Sequence, residues 1–409
     1  GHALRQAGYY TAYLGKWHLS GSRTPSLEEY GFSDWSGDDL RMVGVARSGF
    51  EEDGAIADSA VDWMHERRPN SQPWFLVVSL INPHDIAYFP ADQVSYQDAH
   101  RAELMASREQ LDWVDWRDDP IPPVNWDRKR RFSRLAPNAT HMWHSKPEVH
   151  RQFALDWNEG RMGRIDSGDT DRWLEMLDYY FWLHEVVDAE IGRVLDALED
   201  SGQQDTTITL FVSDHGEMAG SHGLRGKGPF IYEENLNVPL YVRGPGIQAG
   251  VVTEALGSHV DLPATLLSLA TNGALGTAGI RGSPGIDLSP AIFDATARPR
   301  DHVLFDIDLS WRPRTARTRY ALRGIFDGQI KYARYFGIDD PVDPSDRDGP
   351  TVKRFGPDSP FEYQDHELYD LASDPHELVN LAHIPEKASI LSDYYERLRA
   401  AEVEEITAP

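Results

Sequence analysis

The chain has 409 residues, with 66 Asp and Glu against 40 Lys and Arg, so its formal charge is −26. This acidic balance argues against a nucleic-acid or anionic-membrane partner, because phosphate groups bind to clustered Lys and Arg. The chain contains no cysteine, which excludes disulfides, thiolate metal sites and a cysteine nucleophile within these residues. No apolar run reaches the roughly 20 residues that a membrane helix needs.

The first ten residues, GHALRQAGYY, predict the end of a helix over 2–6 that passes through Gly8 into a strand. Such a pattern is typical of the middle of a domain, so we expect further residues upstream. The segment lacks the apolar centre of a signal peptide. The sequence therefore leaves the cellular compartment undecided.

Three apolar segments share one pattern, in which a short strand ends abruptly in polar and titratable residues: 9–18, 73–85 and 206–217. Continuous apolar runs suit strands that are buried on both faces of a largely parallel sheet. Helical periodicity separates them over 51–67 and 171–199. The alternation predicts an α/β fold, with a mostly parallel mixed sheet sandwiched by helices.

An insertion over 86–170 breaks this alternation and is rich in Asp, Arg, Pro and Trp. Its tryptophans follow no helical or strand period: Trp113, Trp116, Trp126, Trp143 and Trp157. Two interpretations stay open, namely a surface excursion packed by its own aromatic side chains, or a cap that walls a substrate pocket.

The carboxyl-terminal part changes character after a helix at 259–270 and a Gly-, Ala- and Pro-rich linker at 271–300. The dipeptide Asp327-Gly328 predicts a hairpin turn between two strands. We divide the chain into a catalytic α/β domain, 1–298, and a smaller α+β domain with an antiparallel sheet, 299–409. The elements predicted in the smaller domain are strands at 302–307, 319–326 and 329–336 and a helix at 387–404.

Candidate chemistry follows each of the three buried strands. Ligands of open α/β sheets bind at the carboxyl ends of the strands, so these ends should meet at one site. Lys16 and His18 are two positions apart, which places them on the same side of an extended segment. A cation beside an imidazole suits an anionic substrate and proton transfer. A surface lysine and a core histidine remain the alternative.

The second and third strand ends carry further candidates. His84 follows Pro83 in a turn, where it is either a satisfied turn histidine or a site residue. Asp214 and His215 are ligand types for a divalent cation, and Gly216 permits a sharp turn beside them. Two ligands are too few for a tight site, so others must come from elsewhere. Downstream, Lys227 lies between two glycines.

The chain resembles the type I sulfatases of the alkaline phosphatase superfamily. The resemblance extends from position 8 to 382, nearly the whole chain. The segments that carry it are GYYTAYLGKWHLSG (8–21), INPHD (81–85), SDHGEMAGSHGLRGKGPFIYEENLNVPLYVRGPG (213–246), HVDLPATLLSLA (259–270) and HELYDLASDPHELVNLA (366–382). It implies an alkaline phosphatase-like fold and hydrolysis of sulfate esters.

The resemblance also implies roles for individual residues. Lys16 and Lys227 would bind the sulfate oxygens. His18 would take a proton from a covalent sulfated intermediate, and His84 would protonate the leaving oxygen. Independently of the resemblance, His222 lies close to Lys227 in sequence and is either a lining residue of the substrate pocket or an ordinary loop histidine.

Asp214 and His215 would be two ligands of a divalent metal, with calcium expected and magnesium or manganese as alternatives. His215 stands where many sulfatases have Asn, as in the related phosphonate monoester hydrolases and phosphodiesterases. The family's tandem Asp pair and its nucleophile, a Cys or Ser converted to formylglycine in a C/S-x-P/A-x-R motif, have no counterpart here. In the family they precede the segment that matches GKWH.

Three functions therefore remain in view. The first is a sulfatase acting on a small-molecule sulfate ester, with no nucleic-acid or membrane partner and an oligomeric state left open. The second is a phosphonate monoester hydrolase or phosphodiesterase. The third is a non-catalytic remnant. Since the nucleophile motif is not among these residues, we expect them to turn over nothing by themselves.

Overall fold

The computed structural model describes residues 1–19, 26–37, 48–67, 72–89, 91, 126–139, 143–155, 162–275, 282–307, 319–338 and 354–406. The α-helices are α1 (His2–Gln6), α2 (Ser48–Glu66), α3 (Glu148–Phe153), α4 (Thr170–Asp200), α5 (Glu233–Leu236), α6 (Leu262–Ala270), α7 (Ser289–Phe293) and α8 (Ala388–Glu405). The strands are β1 (Tyr10–Gly15), β2 (Trp74–Ser79), β3 (Thr209–Val212), β4 (Leu240–Arg243), β5 (Val303–Ile307), β6 (Ala321–Phe326), β7 (Ile330–Ile338), β8 (Arg354–Phe355) and β9 (Asp365–Asp370).

Strands β1 and β2 form a parallel pair, in register from Tyr10 opposite Trp74 to Gly15 opposite Ser79. Helices α2 and α4 cover this pair, because each presents an apolar stripe to the strands. The resulting core contains buried side chains of β1, α2 and α4, with partly buried side chains of β2 packed against them: Ala12, Leu14, Ala60, Trp63, Met64, Ala197 and Leu198, and Trp74, Leu76 and Val78. The α/β class and the two long helices predicted from periodicity are thus confirmed.

Strands β3 and β4 form a separate antiparallel pair, in register from Thr209 opposite Arg243 to Val212 opposite Leu240. Phe211 and Val212 are 41% and 39% exposed. The expectation that the third apolar segment is buried on both faces is therefore wrong for the residues that the structure describes. The physical reason is a large cavity between the two strand pairs, which leaves β3 open on one side.

The carboxyl-terminal sheet is antiparallel, as predicted. Strand β7 pairs with β6, β8 and β9, and β5 pairs with β6. Gly328 has a φ of 96°, and the Asp327 carboxylate accepts the backbone N–H of Ile330 at 2.9 Å, which together close the predicted hairpin turn. Helix α8 packs across the sheet through Leu391, Tyr394 and Leu398.

Part of the predicted insertion 86–170 belongs to the core. Trp126 is buried and packs edge-on against Tyr179 of α4, with ring centroids 5.0 Å apart. Trp113, Trp116 and Trp157 lie outside the described residues. The choice between surface excursion and cap therefore stays a prediction. None of the helices described above combines the length and the hydrophobicity needed to cross a membrane.

Candidate functional site

A cavity of about 2750 Å³ separates the β1–β2 pair from the β3–β4 pair. Every residue of β2 and of β3 lines it. Its other walls are apolar side chains of α4 and α6: Val187, Ile191, Val194, Leu195, Leu262, Leu266 and Leu269. Polar side chains from three strand ends line the same cavity, as expected for ligand sites of open α/β sheets.

Six of the seven residues singled out from the sequence line this cavity: Lys16, His18, His84, Asp214, His215 and Lys227. The electrostatic effects on His84 show that four of the other residues lie close enough to act on its charge. The pKa of His84 is held well below its usual range, first by burial and then by the positive charges of Lys16 and Lys227. His215 and His18 contribute in the same direction.

The end of β1 positions Lys16 through a glycine. Gly15 has a φ of 96°, and a Cβ atom there would lie 2.1 Å from the carbonyl oxygen of Ser79. The close approach lets the Lys16 backbone N–H donate to that same oxygen at 3.0 Å. Trp17 turns into a small aromatic core with Trp35, while Lys16 and His18 line the cavity. This arrangement agrees with the predicted alternation along the segment.

Two buried carboxylates hold the turn that carries His84. Asp53 of α2 accepts the backbone N–H groups of Ile81 at 2.6 Å and of Asn82 at 3.0 Å. Burial raises the pKa of Asp53 to about 6. Asp85 accepts the backbone N–H of Phe50 at 3.3 Å, and burial raises its pKa to about 7. Sequence reasoning missed Asp53, because an acidic residue on an amphipathic helix reads as an exposed position.

His84 is a neutral imidazole at neutral pH, because its lowered pKa disfavours the protonated form. Its Nδ1 atom is buried and has no hydrogen-bond partner among the residues that the structure describes. A neutral imidazole in this position can donate a hydrogen bond to an oxygen in the cavity. It gains a proton more readily once an anion offsets the two lysine charges.

Asp214 and His215 form a partial metal site. The Nδ1 atom of His215 is 2.8 Å from the carbonyl oxygen of Gly216, and its Nε2 atom is 3.4 Å from Oδ2 of Asp214. A proton on Nδ1 leaves the Nε2 lone pair facing the carboxylate, the tautomer that a metal requires. Burial, followed by the charge of Lys227, lowers the pKa of His215. The two residues fit a divalent ion as two of its ligands.

Glu217 connects this strand end to the loop that carries Lys227. Its carboxylate accepts the backbone N–H groups of Ala219 at 3.1 Å and of Gly226 at 2.5 Å. His259 supports the same strand end, with its Nε2 atom 2.8 Å from the carbonyl oxygen of Ser213. From the sequence, His259 is only the start of a helix, since its contact lies 46 residues away.

His222 lies apart from the cavity lining. It is fully buried, and its ring stacks on Tyr232 with the ring centroids 3.7 Å apart. Its Nε2 atom is 3.1 Å from Nδ2 of Asn138. The structure thus brings together six of the predicted site residues and separates the seventh from them.

Comparison with known proteins indicates the family and the fold. Residues 1–272 match the family model described as Sulfatase. The chain is 25% identical over 421 residues to the N-acetylglucosamine-6-O-sulfatase of Bacteroides thetaiotaomicron, covering 92% of this chain and 67% of that protein. It is 30% identical over 280 residues to the choline-sulfatase of Rhizobium meliloti, covering 66% and 51% respectively.

Among solved structures, the phosphonate monoester hydrolase of Agrobacterium radiobacter superimposes with a TM-score of 0.60 at 20% identity. The alignment covers 98% of this chain and 79% of that one, which shows a shared fold. Against some curated sulfatases, including those of Escherichia coli and Rhizobium meliloti, the chain spans 51% of the relative's length.

Proposed function

Because the chain belongs to the sulfatase family, as the match over residues 1–272 shows, we propose that its cavity hydrolyses sulfate monoesters. The observation that carries the proposal is the convergence of Lys16, Lys227 and His84 on one cavity. Two cations suit the nonbridging oxygens of a sulfate group, and an imidazole beside them suits the ester oxygen that departs.

Lys16 and Lys227 bind the anion in this proposal. They approach it from different segments, the end of β1 and the loop after Glu217. Their charges are held in place before the reaction, and such preorganised charge is the largest catalytic contribution in many enzymes. The binding of a sulfate group between them also offsets the field that lowers the pKa of His84.

His84 then serves as the general acid. As a nucleophile's oxygen forms a bond to sulfur, the bond from sulfur to the ester oxygen breaks. The departing alkoxide or phenoxide takes a proton from His84 and leaves as the alcohol. His18 takes the proton that must leave the covalent intermediate when sulfate is expelled. Water restores the nucleophile, so the net reaction is ester plus water to alcohol plus hydrogen sulfate.

Asp214 and His215 hold a divalent ion, with calcium expected and magnesium or manganese as alternatives. Bound there, such an ion would supply positive charge toward the sulfate oxygens. Further ligands and the nucleophile come, in this proposal, from a segment outside residues 1–409. The cavity between β2 and β3 supports the assignment to such a segment. It is lined by both strands and by apolar side chains, surroundings that suit a further extended strand. Residues 1–409 by themselves are then inactive.

The substrate in this proposal is a small soluble sulfate ester, because a chain of charge −26 repels heavily sulfated polymers. A second candidate is a phosphonate monoester or a phosphate diester. His215, which replaces the Asn of many sulfatases, and the fold shared with a phosphonate monoester hydrolase favour it. Both candidates use the same lysines and the same histidine.

The role of His84 is tested with two sulfate esters in the intact polypeptide. His84→Ala should slow the hydrolysis of an alkyl sulfate roughly 100-fold or more, the usual contribution of a general acid. It should slow nitrophenyl sulfate far less, because nitrophenoxide leaves without a proton. Gln152→Ala, a change outside the cavity lining, is the control for handling and folding. Equal losses on both esters would contradict the acid role.

A further inference from the structure

A second group of metal-ligating side chains shares no residue with the pair Asp214 and His215. It joins His222 of the turn Ser221–Gly223, Glu234 of α5 and Glu377 of the segment after β9. One ligand atom from each residue lies within 4.8 Å of the other two. His222 and Glu377 are buried to 0% and 1% exposure. The proposed hydrolysis uses none of the three.

Asn138 supplies an independent observation. Its side chain is 1% exposed, and its amide lies between two members of the group, 3.1 Å from Nε2 of His222 and 2.8 Å from Oε1 of Glu234. The amide oxygen, Oδ1, is buried and has no hydrogen-bond partner in the described part of the chain. Rotation of the amide by half a turn exchanges Nδ2 for this oxygen, which is a ligand that divalent cations accept.

The charges around the group favour a cation. Six ionisable side chains meet there, four carboxylates and two ammonium groups: Glu233, Glu234, Glu367, Glu377, Lys146 and Lys331. Lys331 donates to Glu233 at 2.6 Å and to Glu377 at 2.8 Å. Lys146 donates to the backbone carbonyl of Glu377, while the carboxylate oxygens of Glu377 accept from Lys331 and from the backbone N–H of Glu233. Each carboxylate oxygen keeps a second lone pair that a metal can use. The carboxylates outnumber the ammonium groups, which favours a cation at this group.

The geometry fixes the ligands in place. Tyr232 stacks on the ring of His222, and the backbone N–H of Glu233 donates to Oε2 of Glu377 at 2.8 Å. His222 and Glu377 both have left-handed backbone, with φ values of 54° and 53°. Such conformations are uncommon for these residue types and persist where the surroundings impose them.

We propose that His222, Glu234, Glu377 and Asn138 bind one divalent cation of the manganese-to-zinc class. One imidazole nitrogen and three oxygens form a donor set that suits these ions. The ion adds positive charge to this acidic group and ties the loop that carries Lys227 to the segment after the carboxyl-terminal strand β9. It is distinct from the ion expected at Asp214 and His215, because none of its ligands is shared.

The test measures metal binding and does not depend on catalysis. The intact polypeptide with Asp214→Ala and His215→Ala is stripped with a chelator, then titrated with Mn²⁺ followed by electron paramagnetic resonance and with Zn²⁺ followed by calorimetry. We expect one ion per chain and nitrogen coupling in the Mn²⁺ spin-echo spectrum. Glu234→Gln should weaken binding about tenfold or more, by analogy with the loss of other groups that support a metal.

Two further variants separate ligation from folding. His222→Gln should abolish the nitrogen coupling. His150→Gln is its matched control, because His150 is also fully buried and contacts Tyr232, yet is not a ligand. Glu234 is only partly buried, so Glu234→Gln keeps the test decisive if His222→Gln fails to fold by circular dichroism. Absence of binding in the Asp214→Ala, His215→Ala background, or binding unchanged by Glu234→Gln, would overturn the proposal.

Discussion

The two sheet regions of this chain differ in how far their apolar side chains are buried. In the carboxyl-terminal sheet, Leu368 and Tyr335 are 0% exposed. In the β3–β4 pair, Phe211 is 41% exposed and Tyr241 is 68% exposed. The carboxyl-terminal sheet encloses its own core and is called the closed region here. The strand pairs around the cavity, with the helices that cover them, leave apolar strand surface facing that cavity and are called the open region. The six predicted site residues that the structure brings together line the cavity of the open region, which favours a scaffold role for the closed region.

The closed region also contains buried ion pairs. Lys331 is 0% exposed and paired with Glu377, and Arg334 is 0% exposed and paired with Glu402 at 2.6 Å. At the cavity, Lys227 and His18 are exposed. Paired charges in a closed core resist change, whereas charges beside a cavity are available to an anion. The predictions below test this division, from the largest expected effect to the smallest.

The largest effect should follow from breaking the buried pair in the closed region. Lys331→Met leaves two carboxylates without their cation and should lower the free energy of unfolding by about 3–5 kcal/mol. The cost should be smaller at acidic pH, because burial raises the pKa of Glu377 to about 7 and the carboxyl then holds a proton. Urea unfolding at two pH values measures both effects.

The matched control is a surface ion pair of the open region. Arg193 of α4 pairs with Asp58 of α2, with their side chains 44% and 65% exposed. Arg193→Met should change the free energy of unfolding far less than Lys331→Met does, because solvent screens such pairs. A similar loss for both variants would contradict the division between the regions.

The next effect compares two leucines. Leu368→Ala in β9 removes a fully buried side chain and should cost about 2–5 kcal/mol. Leu210→Ala in β3 should cost about 1 kcal/mol or less, because its side chain lines the cavity and solvent still reaches it. Chemical denaturation measures both. Equal costs in the intact polypeptide would show that another segment fills the cavity beside β3.

The smallest effect concerns the protonation of His84. Lys16→Met removes a charge that lowers the pKa of His84, so that pKa should rise. A histidine whose folded pKa lies below the unfolded value of about 6.5 destabilises the fold as pH falls through that range. The variant should therefore lose less stability on acidification than the parent. NMR titration of the imidazole measures the pKa of His84 directly. An unchanged pKa in Lys16→Met would contradict the claim that the charge of Lys16 acts on His84.

Several elements of both regions could be predicted from the sequence, because the signals that specify them are short patterns along the chain. Helices α2 and α4 follow a 3.6-residue apolar period, and Asp327-Gly328 marks the hairpin between β6 and β7. Both features were predictable because their signals are local in the sequence. The expectation that ligands bind at strand ends placed Lys16, His84 and His215 in one group, and the structure brings them to one cavity. Their roles came from the resemblance and stay proposals.

What sequence could not show depends on contacts between distant segments. Asp53 holds the turn before His84 from a helix 28 residues away. Glu377 approaches Glu234 and His222 only after the carboxyl-terminal sheet packs against the segment 218–232. The exposure of β3 was not predicted either, because an apolar run indicates a buried strand whether or not a neighbouring strand covers it.

The most direct measurement is the ratio of kcat/KM for a sulfate monoester to that for a phosphate diester with the same leaving group, in the intact polypeptide and in Lys227→Ala. The proposed function predicts a ratio above one, with the sulfate activity falling roughly 100-fold or more in the variant, as for the loss of one preorganised charge. A preference for the diester, or sulfate hydrolysis that survives Lys227→Ala, would contradict it.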